Sequence, residues 1–258
     1  MPGCSTRETA VTEHLNTKDN MQLKPRRSLP ITRWARTLVA WAACAQLALA
    51  ASSLPRYLNR PDSWYAGEEA RRIAERVLSH QSDPGGWPKN KDTAATPFTG
   101  DRKKINPTFD NGATTGELRF LARLWKATKD ERYRDAFTRG VEYILKAQYP
   151  NGGWPQSYPP GKGYPRHITF NDGAMVRLME FLRDVCIAND TGVLDAARRD
   201  AAQAAFERGV QCILKCQIKT NGILTAWCAQ HDEQDFAPRS GRTYELASLS
   251  GAESVGIV

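Results

Sequence analysis

The sequence predicts an all-α fold built from tandem helix pairs, and three features carry that prediction. The string Arg139-Gly140-Val141-Glu142-Tyr143-Ile144-Leu145-Lys146-Ala147-Gln148 returns as Arg208-Gly209-Val210-Gln211-Cys212-Ile213-Leu214-Lys215-Cys216-Gln217, with seven of ten positions identical. The string Thr108-Phe109-Asp110-Asn111-Gly112-Ala113 returns as Thr169-Phe170-Asn171-Asp172-Gly173-Ala174. Around both pairs, apolar residues fall at helical spacing. Repetition on a scale of about 65 residues marks a repeat architecture of stacked supersecondary units.

The elements follow in chain order. A basic stretch from Lys24 to Arg36 precedes an apolar run from Leu38 to Ala51 that contains Ala48-Leu49-Ala50. The run is too short to span a bilayer comfortably, and small-x-small is a cleavage signature. Residues 1–50 are therefore expected to be a signal peptide with a basic leader, with Met21 a candidate start. That implies a secreted or periplasmic protein with no membrane association after cleavage. Residues 51–62 are expected to be a linker, and 63–258 the folded domain. A first, weaker copy of the long repeat holds Arg72, Glu75, Val77-Leu78 and Gln81. Leu118, Leu121 and Trp125, with Phe120 and Leu124, make one helical stripe; Val141, Ile144 and Leu145 make another, which stops at Gln148 before Pro150. Met175, Leu178, Met179, Leu182 and Val185 make a third. Each long repeat runs into a turn and then a tryptophan: Gly85-Gly86-Trp87-Pro88, Gly152-Gly153-Trp154-Pro155, and Asn221-Gly222 ahead of Trp227. Tandem helix pairs either stack as an open solenoid or curl into an (α/α) toroid, and the recurring loops would collect on one rim.

Composition narrows the function. Of 258 residues, 41% are hydrophobic and 25% charged, ordinary globular values that exclude a disordered chain or a polytopic membrane protein. The net charge is +8, yet half of it sits in the leader, so the folded part is only mildly basic. A polyanionic ligand is compatible with that; nucleic acid is not expected, because no basic aromatic module occurs. Cys186, Cys212, Cys216 and Cys228 remain after the leader, with no CxxC pair among them, and read as small buried apolar residues.

Five motifs, Gly85-Gly86-Trp87-Pro88-Lys89-Asn90, Thr108 to Thr115, Thr169 to Met175, Leu224 to His231, and Arg242 to Gly251, occur in order between Tyr65 and Val258. Together they resemble polysaccharide lyase family 10 pectate lyases. The resemblance implies an incomplete (α/α) toroid, dependence on Ca2+, and endo-cleavage of α-1,4-polygalacturonate by β-elimination. It places calcium ligands at Asp110 and Asp172 and a proton-abstracting arginine at Arg242. Relatives continue beyond the position of Val258, so the chain is expected to be truncated. A monomer is expected.

Elementary chemistry gives each residue a second reading. Elimination removes a proton from carbon 5 beside a carboxylate, so a cation on that carboxylate lowers the charge penalty. Asp110 and Asp172 offer hard oxygens for calcium; on spacing alone they are helix caps. Asn111 and Asn171 stand beside them. Arginine is ordinarily protonated below a pH of about 12, so Arg242 either abstracts the proton transiently or stabilises the enediolate while water accepts it. By spacing it would simply pair with Glu245. Lys89 could meet a substrate carboxylate or stay solvated. Trp87 and Trp227 could stack on sugars or close the core, and the core is the expectation for Trp154. His231 is expected to be a rim residue ordering Trp227 and Gln230. Two other classes fit less well: a toroid glycoside hydrolase, using Asp110 and Asp172 as paired acids, and a pectin-binding protein without activity.

Overall fold

The computed structural model describes residues 52–258. The leader lies outside these residues; among them, no helix is long and apolar enough to cross a membrane. Among the described residues, seven α-helices carry the fold: α1 Pro55–Leu58, α2 Glu68–Ser79, α3 Thr115–Thr128, α4 Glu131–Ala147, α5 Ala174–Phe181, α6 Ala196–Cys216 and α7 Gly251–Ile257. Helix α5 runs on as a π-helical turn, Leu182–Ile187. The strands β1 Ile168–Thr169, β2 Lys219–Thr220, β3 Ile223–Leu224, β4 Gln230–His231 and β5 Pro238–Arg239 are two residues each. All pairings are antiparallel, β2 with β3 as a hairpin and β4 between β1 and β5. Helix makes up nearly all of the regular structure, but turns, two-residue strands and irregular chain occupy 80–114 and 217–250. Their glycines and prolines interrupt any helical register.

Local sequence sets the helix limits. Asp130 and Asp195 accept hydrogen bonds from the backbone N–H of Arg132 and Arg198 and so cap α4 and α6. Lys129, in left-handed conformation, ends α3. The predicted stripes are the buried faces: Leu118, Leu121 and Trp125 on α3, Val141 and Ile144 on α4, Met175, Leu178 and Met179 on α5. Helices α3 and α4 pack as one pair, and α5 with its π-helical turn packs on α6 as the next. Residues 54–62 are not a linker. Leu54 is in the core, and α1 packs on α3.

The long repeat has a physical reason. Gln81 donates to the carbonyls of Gly85 and Ala136, and its own carbonyl oxygen accepts from Arg139. Gln148 repeats this with Gly152, Ala205 and Arg208. Each glutamine at the end of one outer helix thus clamps its own turn and the backbone of the next outer helix. The glycine beside each arginine lets the paired inner helix approach: a Cβ at Gly140 would lie 2.4 Å from Leu118, and one at Gly209 2.4 Å from Met179. The four cysteines among the described residues are buried and free.

The turns press directly on the following helix. Gly152 has φ 95°, and a Cβ there would lie 2.1 Å from the carbonyl oxygen of Arg208, whereas Gly222, at the matching place in the next repeat, has φ 81° and open space around it. Gly152→Ala should therefore cost about 3 kcal/mol or more, and Gly222→Ala about 1–2 kcal/mol, the left-handed strain alone. Urea denaturation of the two variants checks this; equal losses would show that the turn can move away from α6.

Candidate functional site

The site forms where the short repeated strings begin the inner helices. The segments Asp110–Gly112 and Asn171–Gly173 are single helical turns packed against each other, and the second also meets α7. Asn111 (φ 55°) and Asp172 (φ 53°) hold the same left-handed conformation, so they are the equivalent positions. The two aspartates are consequently one register apart: Asp110 matches Asn171, and Asn111 matches Asp172. They are not the same group at the same helix start, and neither side chain caps its helix.

Asp110 is buried. Its Oδ2 accepts from Lys89 and, at 2.6 Å, from Gln156 Nε2, while its Oδ1 has no hydrogen-bond partner. Lys89 follows Trp87-Pro88 and Gln156 follows Trp154-Pro155, so two consecutive repeats converge on one carboxylate oxygen. Thr108, one turn earlier, ties its hydroxyl to the Gln156 carbonyl. Asp172 is exposed, with Oδ2 accepting from Asn171 Nδ2 at 2.8 Å. Its carbonyl accepts from Arg177, and that side chain also runs past Gly112, bridging the two turns. The orphaned Asp110 Oδ1, Asn111 and Asp172 are oxygen donors of the hard type that suits a divalent cation. Among the described residues, His167, Asp232 and Glu233 form a tighter cluster of metal-ligand types. Its carboxylates are already engaged by Arg166, Arg239 and His167, and it reads as an ion-pair network.

Two hollows meet at this site, one of about 830 Å³ and one of about 760 Å³, and Pro88, Lys89 and Lys91 line both. Asn111, Glu117, Arg119 and Arg177 line the first; Gln156 and Tyr164 line the second.

Of the expected site residues, Trp87, Trp227 and His231 lie elsewhere. Trp87 and Trp227 are buried, their indole N–H groups donating to the carbonyls of Val77 and Ile213. They cannot stack on a sugar. Trp154 is buried in the same way, against Ile144. His231 is fully buried rather than on a rim; its ring accepts from Cys228 N–H, its other nitrogen faces the Phe236 carbonyl, and burial lowers its pKa. Arg242 is exposed in a turn nine residues before α7, not at a loop-to-helix junction, and makes the ion pair with Glu245. That bond raises its pKa further. Its guanidinium lies over the Tyr244 ring at 4.9 Å.

Gln156, Arg177 and Glu117 had not been singled out from the sequence. Comparing Trp-Pro-Lys with Trp-Pro-Gln would have found the first. Glu117 is buried in the first turn of α3, with Oε1 accepting from Thr93 at 2.9 Å and Oε2 unpartnered.

Helix pairs stacked in an arc, with a charged groove along the ends of the inner helices, define a protein of the α/α-toroid class. A family model described as pectic acid lyase matches residues 81–258, and the chain belongs to that family. It is similar to two solved structures of family 10 polysaccharide lyase from Cellvibrio cellulosa, each 38% identical over 82% of this chain. The TM-scores are 0.69, for an aspartate-to-alanine mutant in complex with trigalacturonic acid, and 0.68. The chain spans 65% of the length of each. Comparison with the curated proteins finds no match.

Burial pushes the Glu117 carboxyl up from its ordinary 4.5 to about 7. The folded chain keeps a proton that the unfolded chain releases above 4.5, so this group's contribution to stability falls as pH rises from 4.5 to 7 and then levels off. Glu117→Gln, which cannot ionise, should be more stable than wild type at pH 8 relative to their difference at pH 4. Urea midpoints at the two pH values test it, and a pH-independent difference would mean that Glu117 ionises freely in the folded state.

Proposed function

We propose that the chain is a calcium-dependent pectate lyase that cleaves α-1,4-polygalacturonate internally by β-elimination and releases unsaturated oligogalacturonides. Its leader composition supports export to the periplasm or medium. The observation that carries the reading is the buried Asp110 carboxylate, bonded to Lys89, which lines both hollows, with one oxygen held and the other unpartnered. Burying a charged oxygen without a partner is costly, and a substrate-binding cation removes that cost. Family membership and the likeness to a lyase complexed with trigalacturonic acid supply the substrate class.

Each side chain has work that its chemistry allows. Asp110, Asn111 and Asp172 would hold the ion. Calcium, when bound, lowers the negative charge on the substrate carboxylate and so acidifies the proton on carbon 5. Lys89 pairs with Asp110 and fixes its direction. Arg177 holds the Asp172 turn against the Asp110 turn. With Glu245 beside it, Arg242 holds its proton more tightly than usual, so it serves as a fixed cation for the charge that develops on the substrate. The carbon 5 proton passes to water, the bond from carbon 4 to the leaving oxygen breaks, and the double bond forms between carbons 4 and 5. The leaving oxygen takes a proton from solvent.

Purified protein given polygalacturonate and calcium should produce ultraviolet-absorbing unsaturated ends; a chelator should stop this and added calcium restore it. Saturated reducing ends without absorbance would indicate a hydrolase, and binding without any product would indicate a binding protein. Arg242→Ala should lower kcat by about 10²-fold or more with KM changed little. Retention of more than about a tenth of the turnover, a cost of about 1.4 kcal/mol, removes Arg242 from the chemistry.

A further inference from the structure

The clamp that joins one outer helix to the next is closed twice and open once. Gln81 reaches Ala136 and Arg139 of α4, and Gln148 reaches Ala205 and Arg208 of α6. Gln217 stands at the same place after α6. It keeps the bond to its own turn, donating to the Thr225 carbonyl at 3.0 Å. Among the described residues, no arginine donates to its side-chain oxygen and its amide reaches no further helix.

The surroundings of Gln217 differ from those of the other two glutamines in the same sense. A Cβ at Gly85 or Gly152 would collide with the carbonyl of Arg139 or Arg208, but one at Gly222 would meet nothing within 4 Å. Val77 and Ile144 are buried, whereas Ile213, at the same repeat position, is half-buried. Leu78 and Leu145 are half-buried, whereas Leu214 is 55% exposed. Ile223 and Leu224 in the following hairpin are exposed as well. The outer face of a repeat that ends a stack is ordinarily polar. This one is apolar, with the same groups that a following helix covers in the two repeats before it.

The two closed junctions define what fits. Both arriving helices read Ala-Phe-x-Arg-Gly-Val, at 136–141 and at 205–210. The arginine donates to the glutamine oxygen, and the carbonyl of the alanine three residues earlier accepts from the glutamine amide. The glycine lets the arriving helix close on Leu118 or Met179 of its inner partner. Ile257 of α7 holds the corresponding place, five residues after the alanine of a Gly-Ala pair as Leu118 and Met179 are. A second copy of the chain has no such helix to offer. Arg139 and Arg208 are engaged, and α2 carries Ile73 after Arg72 where the glycine is needed.

We propose that Gln217, the Gly222 turn and the apolar face around Leu214 form a docking surface for one further amphipathic helix bearing an Arg-Gly pair, clamped as α4 and α6 are. The assignment rests on the repeat and not on the lyase reading. Because α7 also packs on the Asn171–Gly173 turn, a helix held here braces the Asp172 side of the site.

The test supplies the helix. The sequence of residues 131–147 is appended to Val258 through a flexible glycine-serine linker of about twelve residues, which holds it at an effective concentration on the order of millimolar. The melting temperature should rise by about 4 °C or more. The rise should vanish with Gln217→Ala in the chain, and equally with Arg139→Ala in the appended copy alone. Without the added helix, Gln217→Ala should move the melting temperature by less than about 1 °C, while Gln148→Ala should lower it by about 4 °C, since only the second breaks a closed clamp. An unchanged melting temperature on fusion, or a rise that survives both substitutions, would overturn the proposal. Self-association of the chain without the added helix, abolished by Gln217→Ala in sedimentation, would seat a second copy on this face and overturn it as well.

Discussion

The arc of helices depends on the tryptophan that follows each outer helix. Its indole N–H donates back to a carbonyl near the end of that helix: Trp87 to Val77, Trp154 to Ile144, Trp227 to Ile213. Its own carbonyl accepts from the segment that opens the next inner helix: Thr108 onto Trp87, Thr169 onto Trp154, Ser250 onto Trp227. One residue thus joins the end of one repeat to the start of the next, through a large buried ring and two hydrogen bonds made away from water. Buried indole N–H groups need a partner, and here the partner is the last turn of a helix, where carbonyls are otherwise short of donors.

This rivet also builds the groove. The residue two places after Trp87 is Lys89, and two after Trp154 is Gln156. Because the tryptophans fix the chain on either side, Lys89 and Gln156 arrive at the same oxygen of Asp110 from successive repeats. The Trp carbonyls hold the Thr108 and Thr169 segments in register, and those segments lead into the left-handed residues Asn111 and Asp172. Core packing and site geometry are therefore one construction. A change that loosens a GGWP turn is felt at Asp110 without touching it.

Electrostatics divides the groove. On one side acids and bases line the hollow together, and burial keeps Glu117 protonated up to about pH 7. The other has no acid in its lining, and of its lysines, Lys89, Lys91 and Lys104, the first two line both hollows.

Much of this was legible in the sequence because repetition is a linear property. The helix stripes, the helix pair as unit, the family and the proximity of the Asp110 and Asp172 turns all follow from strings that recur and from apolar spacing. What the sequence left open depends on where a side chain points. An exposed and a buried tryptophan have the same neighbours in the chain, and only packing against Val77 and Ile213 places Trp87 and Trp227 inside. Treating Asp110 and Asp172 as equivalent failed because Asp-Asn and Asn-Asp look alike in composition, whereas left-handed backbone at Asn111 and Asp172 fixes the true register. The partnership of Gln156 with Asp110 spans 46 residues. Contacts of that kind are decided by the closing of the arc, which brings distant repeats together at a cost in chain entropy that no local string records.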